Sequence, residues 1–203
     1  MLELREIVKE CKPHVAFNLL QEFSGITSYD PYVVAYLEMI RQRYTGCNPR
    51  GIMLTRDKVL TKQLAIEAGM AVPDLYGVIE NQADIRRFAR IVEPLESFVV
   101  KPAQGSGGDG IIVITSRSKR KRDSFRRASG DLITTDELEF HLSNIVGGQF
   151  SLSGGRDKAI IEYCVEFDPV FAERVEQRFG GGDPVTMRGV AGVPERAVDQ
   201  CDV

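Results

Sequence analysis

Residues 98 to 114 read FVVKPAQGSGGDGIIVI, and no other stretch restricts the fold as tightly. Phe98-Val99-Val100 has the composition of a strand and runs into Lys101-Pro102. Ala103 to Gly110 is a loop, and Ile111 to Ile114 is a second strand. Strand, glycine-rich loop, strand is the order of a hairpin whose long loop is the working part. Glycines tolerate the dihedrals and the close approach that let several backbone N–H groups converge on one anion. The run is not a Gly-x-x-x-x-Gly-Lys-Ser/Thr phosphate loop. It is not a dinucleotide fingerprint either, because it leads into a strand and not a helix. Taken alone, an ordinary surface loop explains it as well as phosphate binding does.

Its neighbours favour the anion. Lys101 ends the first strand where its ammonium reaches the same space, and Pro102 fixes the strand's exit. Lys58 opens a helix, whose N-terminal dipole also favours anions. Against this stands the reading of both lysines as solvated surface charges.

The remaining pattern surrounds that hairpin with α and β elements. His14 to Leu20 (HVAFNLL) is a short apolar run that predicts a buried strand. Asp30-Pro31 opens a helix with Val33, Leu37, Ile40 and Tyr44 on one face. Residues 44–50 (YTGCNPR) carry turn chemistry. Thr55 or Asp57 caps the next helix, with Leu60, Leu64 and Ala68 along one face, Gly69 at its end and Pro73 beyond. Leu75 to Ile79 reads as a strand. Ala83 to Val92 is helical, with Ile85, Phe88 and Val92 aligned. Thr134-x-x-Glu137 is a capping box ahead of Leu138, Leu142 and Ile145, and Gly147-Gly148 can end that helix. Ala159 to Val165 (AIIEYCV) is a buried strand with one carboxylate, Glu162, inside it. Helical and strand periodicity fail after about Glu173, which predicts a poorly ordered tail.

Composition narrows the function classes. With 203 residues, 43% hydrophobic and 27% charged, the chain can bury one good-sized core or two small ones. No apolar run approaches the eighteen or so residues of a membrane span, and residues 1–5 (MLELR) lack the order of a secretory signal. Cys11, Cys47, Cys164 and Cys201 are far apart, which fits reduced thiols in a cytoplasmic protein better than a metal site or a disulfide framework. The net charge of −3 predicts no general attraction to nucleic acid or anionic membrane. A basic run stands out: Arg117, Lys119, Arg120, Lys121, Arg122, Arg126 and Arg127 against the single acid Asp123. An ordinary solvated turn between two strands accounts for it. Binding an acidic substrate or a nucleic acid is the sharper alternative, but Phe125 stands alone and offers no aromatic pattern for base stacking. His14 and His141 have no ligand-like neighbours and read as structural.

In order and spacing, Asp57-Lys58-x-x-Thr61-Lys62, Glu67-Ala68-Gly69-x-x-x-Pro73, Val99-Val100-Lys101-Pro102, the glycine loop and Ile161-Glu162-Tyr163 resemble the ATP-grasp superfamily. Residues 56–171 are similar to the alpha-L-glutamate ligase-related branch, itself similar to the ligase that adds glutamate to a ribosomal protein. Residues 14–54, with FNLLQEF, VVAYLEMI and YTGCNPRGIMLTRDK, resemble D-alanine–D-alanine ligase-type proteins. The resemblance implies an α+β ATP-grasp fold, incomplete at the C-terminus. Three segments are expected: a partial α/β segment over 1–54, a nucleotide-binding region over 55–171 with its lid subdomain at about 72–165, and an irregular tail over 172–203.

It also implies roles. Lys58 and Lys101 would contact ATP phosphates. The loop Gln104, Gly105, Ser106, Gly107, Gly108, Asp109 and Gly110 would fold over the triphosphate. The backbone of the strand from Ile161 through Tyr163 to Val165 would pair with adenine, with Glu162 near its amino group and Cys164 against the ring. Asp168, preferred on spacing to Glu166, would take the ribose hydroxyls. The implied reaction is ATP-dependent ligation of a carboxylate to an amine through an acyl phosphate, with glutamate and a peptide or protein acceptor as the expected pair. Magnesium is expected with it, held in the family by an Asp and a Glu-x-Asn element. That element is not found after Glu162; Asp183, Glu195, Asp199 and Asp202 lie in the tail. The tail's Gly, Arg, Val, Pro and Ala content predicts a truncation or frameshift near residue 172. Three functions stay open: a glutamate-adding ligase, a non-catalytic nucleotide-binding remnant, and a nucleic-acid-binding module built on residues 117–127.

Overall fold

The computed structural model of the chain describes residues 2–118, 123–152 and 154–165. The expected tail, Glu166, Asp168, the tail acids and Lys119 to Arg122 lie outside the described residues. The chain divides into two compact units between Thr61 and Lys62.

The first unit is helical. Helix α1 (Leu2–Cys11) was not legible in the sequence; α2 (Asp30–Met39) was. Asp30-Pro31 opens α2, and Val33, Val34 and Leu37 are buried along it. The helix ends at Met39, earlier than its apolar spacing predicts. Tyr44 lies beyond its end and donates a 2.6 Å hydrogen bond to Glu38. Residues 44–50 are not all turn. Asn48 accepts from the Gly51 N–H at 2.7 Å and, with Pro49 in the first position, starts α3 (Pro49–Arg56). Arg56 at the end of α3 is paired with Asp30 at 2.5 Å and also donates to the Thr27 carbonyl. The expected strand at 14–20 does not form. Ala16 makes one isolated parallel bridge to Tyr44, and Val15, Phe17 and Leu19 are 49%, 73% and 76% exposed. A strand needs a ladder of partners. Among the described residues of this unit only isolated bridges occur outside the helices, so the expected partial α/β segment lacks its β part.

Helix α4 (Lys58–Glu67) is capped as predicted by Asp57, whose carboxylate accepts from the N–H groups of Val59 and Leu60. Gly69 follows it at φ +76°. The predicted apolar face is not the buried one: Leu64 is 39% exposed, whereas Lys62 is buried.

The second unit is built on one six-stranded antiparallel sheet in the order β1-β6-β2-β3-β4-β5. Its strands are β1 (Leu75–Ile79), β2 (Phe98–Pro102), β3 (Ile112–Arg117), β4 (Ser124–Arg127), β5 (Leu132–Thr134) and β6 (Ala159–Glu162). A 3-10 turn over Gln82–Arg87 leads into α5 (Phe88–Val92), and α6 (Thr135–Val146) follows β5. Ile85, Phe88 and Val92 face the sheet as the spacing predicts, and the reciprocal capping box of Thr134 and Glu137 is present. Alternation along the strands sends Phe98, Val100, Ile112, Ile114, Ala159 and Ile161 to the core with Leu138, Leu142 and Ile145 of α6. Phe98 stacks edge-on against Phe88 and Phe125.

The basic run is not a simple turn. Arg126 and Arg127 belong to β4, between buried Phe125 and the β5 pairing. Arg117 is folded inward. Its guanidinium donates to the carbonyls of Val92, Glu93 and Leu95 at the end of α5, and it lies 5.0 Å from the Phe125 ring centre. It thus caps the carbonyls at and just beyond the C-terminal end of α5.

Candidate functional site

The same alternation that buries Val100 places Lys101 on the opposite face of the sheet. Lys101 pairs in register with Ile160, so Glu162, two residues further along β6, lies diagonally beside it on that face. Glu162 is only 4% exposed. One carboxylate oxygen accepts from Lys62 at 2.9 Å, and the other is paired with Lys101. The reading of Glu162 as a solvent-facing strand residue is therefore ruled out. A buried carboxylate is tolerated only when paired and hydrogen-bonded, and here two ammonium groups hold it. Two lysines on one glutamate leave the cluster with one positive charge in excess. Lys62 also donates to the Pro73 carbonyl at 2.5 Å.

Lys62 and Asp157 are the site residues that sequence reasoning missed. Lys62 stands in the quoted Asp57-to-Lys62 motif, and the only available signal was a lysine four positions after Lys58. Asp157 is 3% exposed and anchors the start of the glycine loop: its carboxylate accepts from the Gln104 N–H at 3.0 and 3.2 Å and from the Lys158 N–H at 2.7 Å. The Ala103 N–H donates to the Lys158 carbonyl.

The far end of the loop is pinned differently. Gly110 sits at φ +74°, and a Cβ there would lie 2.6 Å from the Phe150 ring and 2.8 Å from Pro102. Only glycine allows that approach. His141 Nε2 is 2.8 Å from the Gly110 carbonyl oxygen. A carbonyl only accepts, so Nε2 carries the proton. The ring packs on Phe150 with centroids 5.3 Å apart. Burial, as the leading cause, holds the His141 pKa below its ordinary value, with Arg127 acting in the same direction and the Gly110 bond opposing. His141 is structural, as expected, and its structural task is this loop. Between the two anchors, Ser106, Gly107 and Asp109 are exposed.

The other expected residues are placed as follows. Lys58 is the first residue of α4 and belongs to the first unit, partly buried. Strand β6 ends at Glu162, shorter than the expected strand to Val165. Tyr163 is 44% exposed with its N–H donated to the Asp74 carbonyl at 2.8 Å; Cys164 is buried and Val165 partly so. Asp168 lies outside the described residues. Among the described residues, no group of three His, Cys, Asp or Glu side chains could hold a metal ion. No helix among the described residues is long and apolar enough to cross a membrane.

An antiparallel sheet carrying a lysine beside a glycine-rich β2–β3 loop, with a carboxylate on the neighbouring strand, is the arrangement of the ATP-grasp class. Residues 39–177 match the sugar-transfer associated ATP-grasp family, and the chain belongs to it. It is 26% identical over 192 residues to a D-alanine–D-alanine ligase of Streptococcus gordonii, covering 86% of this chain and 53% of that one. A D-alanine–D-alanine ligase of Chlorobium phaeobacteroides is 35% identical over 107 residues, 50% of this chain and 29% of the relative. The chain thus spans about half or less of the length of these relatives. The fold is similar to that of D-alanyl-alanine synthetase A from Vibrio cholerae, with a TM-score of 0.53 and 15% identity over 75% of this chain and 38% of that one. It is also similar to the biotin carboxylase domain of Hydrogenobacter thermophilus 2-oxoglutarate carboxylase, solved with MgADP and bicarbonate. That TM-score is 0.54, at 16% identity over 80% of this chain and 31% of that one. The likeness to D-alanine ligases expected from residues 14–54 is borne out.

Proposed function

We propose that the second unit binds ATP and contributes the nucleotide clamp of an ATP-dependent carboxylate–amine ligase. The observation that carries this reading is the buried Lys62–Glu162–Lys101 cluster with its excess positive charge, directly before the glycine loop. A buried positive excess favours an anionic ligand far more than the same charge in water. Lys101 is the phosphate lysine of this unit. The loop Gln104, Gly105, Ser106, Gly107, Gly108 and Gly110 supplies a flexible cover over the triphosphate, anchored at its start by the Gln104 N–H on Asp157. Glu162, Tyr163 and Val165 border the adenine, and Asp168 is assigned to the ribose. In the first unit, Lys58 is assigned a phosphate contact at the N-terminus of α4. The domain assignment that goes with this is a nucleotide-binding region over 55–171.

The reaction proposed is attack of a carboxylate on the γ-phosphate, giving an acyl phosphate, followed by displacement of phosphate by an amine. The protein's part is positioning and charge neutralisation. Relatives that are D-alanine–D-alanine ligases favour a D-amino acid as substrate, whereas residues 56–171 favour glutamate with a peptide or protein acceptor. Magnesium, when bound, would supply charge neutralisation at the phosphates in such a reaction.

Titration with ATP tests the clamp. Lys101→Ala is expected to weaken ATP binding by on the order of tenfold or more, while Lys62 still pairs with Glu162 and keeps the unit folded. Equal affinity in wild type and variant would overturn the site. ADP release with D-alanine, and separately with L-glutamate and a peptide amine, then distinguishes a ligase from a nucleotide-binding protein without turnover.

A further inference from the structure

The two lysines on Glu162 are not equivalent. Lys62 is the more deeply buried, with its side chain 9% exposed, and it is tied at two points, to Glu162 and to the Pro73 carbonyl. The Lys101 side chain is 17% exposed and, among the described residues, bonds Glu162 alone. Lys101 is also the lysine at the mouth of the glycine loop, one residue before Pro102 closes the strand.

We infer that Lys62 is a positioning residue: it is the resident counter-charge of Glu162, and its presence is what frees Lys101 to turn to a nucleotide phosphate. This rests on the ATP reading given above. With one lysine only, moving Lys101 to the ligand would strand a buried carboxylate without a partner, and the cost would be subtracted from binding. With Lys62 fixed in place, the carboxylate stays paired throughout. Glu162, in turn, keeps the buried Lys62 side chain paired. The excess charge of the cluster then passes to the ligand without any group losing its last partner. The arrangement predicts that Lys62 matters for nucleotide affinity without touching the nucleotide, and that it matters only while Glu162 is charged.

Five proteins test this by ATP titration in a magnesium-containing buffer, with circular dichroism as a check on folding: wild type, Lys62→Met, Lys62→Arg, Glu162→Gln, and the Lys62→Met/Glu162→Gln double variant. Lys62→Met is expected to bind ATP about tenfold or more weakly than wild type. The double variant is expected to bind as Glu162→Gln does, because a neutral residue 162 needs no counter-charge. Lys62→Arg, which keeps the charge, is expected to stay within about threefold of wild type. If Lys62 acted only through packing, the double variant would bind ATP clearly more weakly than Glu162→Gln does. That outcome overturns the inference, and the comparison stands even if Lys62→Met alone does not fold. Wild-type binding with an unaffected Lys62→Met overturns it too, leaving the ATP reading intact. No ATP binding by wild type removes the ATP reading, and this inference with it.

Discussion

Two apolar runs of this chain look alike as sequence and end differently. Phe98-Val99-Val100 becomes the centre of a sheet, with Phe98 and Val100 fully buried. Val15 to Leu20 forms no strand: one bridge at Ala16 and one hydrogen bond from the Asn18 N–H to Thr45 tie it to its unit, with Phe17 and Leu19 mostly in solvent. Composition does not separate them. The difference is in what each finds alongside. Strand β2 has β6 on one side and β3 on the other, and α5 and α6 cover its apolar face. Burial of apolar area stabilises only when another surface completes it.

The largest test of that contrast is Phe98→Ala. Phe98 touches two other aromatic rings and has no exposed surface, so truncation leaves a cavity as well as lost transfer energy. Destabilisation of about 3–5 kcal/mol is expected, read from the urea midpoint of the second unit. Gly110→Ala comes next. It places a Cβ against Phe150 and Pro102 in a left-handed conformation, and about 1–3 kcal/mol is expected from strain alone. A loss much smaller than that would mean the loop is not held against Phe150, and the hairpin would be anchored at its Asp157 end only.

How far sequence alone reaches follows from the range of each interaction. The Thr134–Glu137 capping box, the Asp57 cap and the hairpin around the glycine loop were all legible, because each is settled within a few residues. Helix α3 was not, although Asn48-Pro49 is a good start signal, because the same dipeptide marks turns. Strand β4 was hidden by its arginines. Its placement depends on Phe125 reaching Phe98 and on Arg117 capping α5, which no local pattern encodes. In the site, Lys101, the glycines and Glu162 were legible as residues that carry chemistry. Lys62 shows in the sequence as part of a motif and not as a participant, because a buried lysine is intelligible only once Glu162 arrives from β6, far along the chain. Asp157 was missed for the same reason: its partner is the backbone of Gln104.

A smaller effect distinguishes the two loop anchors. The folded His141 pKa lies below that of the unfolded chain, where a histidine titrates near 6.5. Above about pH 6.5 both states are neutral and no stability is lost. As pH falls below that value the unfolded chain takes up the proton first, so stability declines until the folded His141 also titrates. The slope cannot exceed about 1.4 kcal/mol per pH unit, the limit for one proton. His141→Gln keeps a donor for the Gly110 carbonyl and removes the proton. It is expected to flatten this part of the stability–pH profile while leaving the neutral-pH stability little changed. An unchanged slope would assign the acid sensitivity elsewhere.

The smallest expected effect is the one that could break the comparison outright. Phe17→Ser removes a ring that is 73% exposed, and surface changes away from caps and buried pairs normally fall within about 0.5 kcal/mol. Phe17→Ser should therefore leave the unfolding midpoint where it was, against the large shift from Phe98→Ala. Each variant removes a phenylalanine ring from an apolar run, so the contrast between their effects reports how far each ring is partnered. If Phe17→Ser costs 2 kcal/mol or more, about the value of a buried aromatic, then the 15–20 segment is covered in solution. The second run would then be a strand or docking segment in its own right, and the contrast between the two runs would disappear.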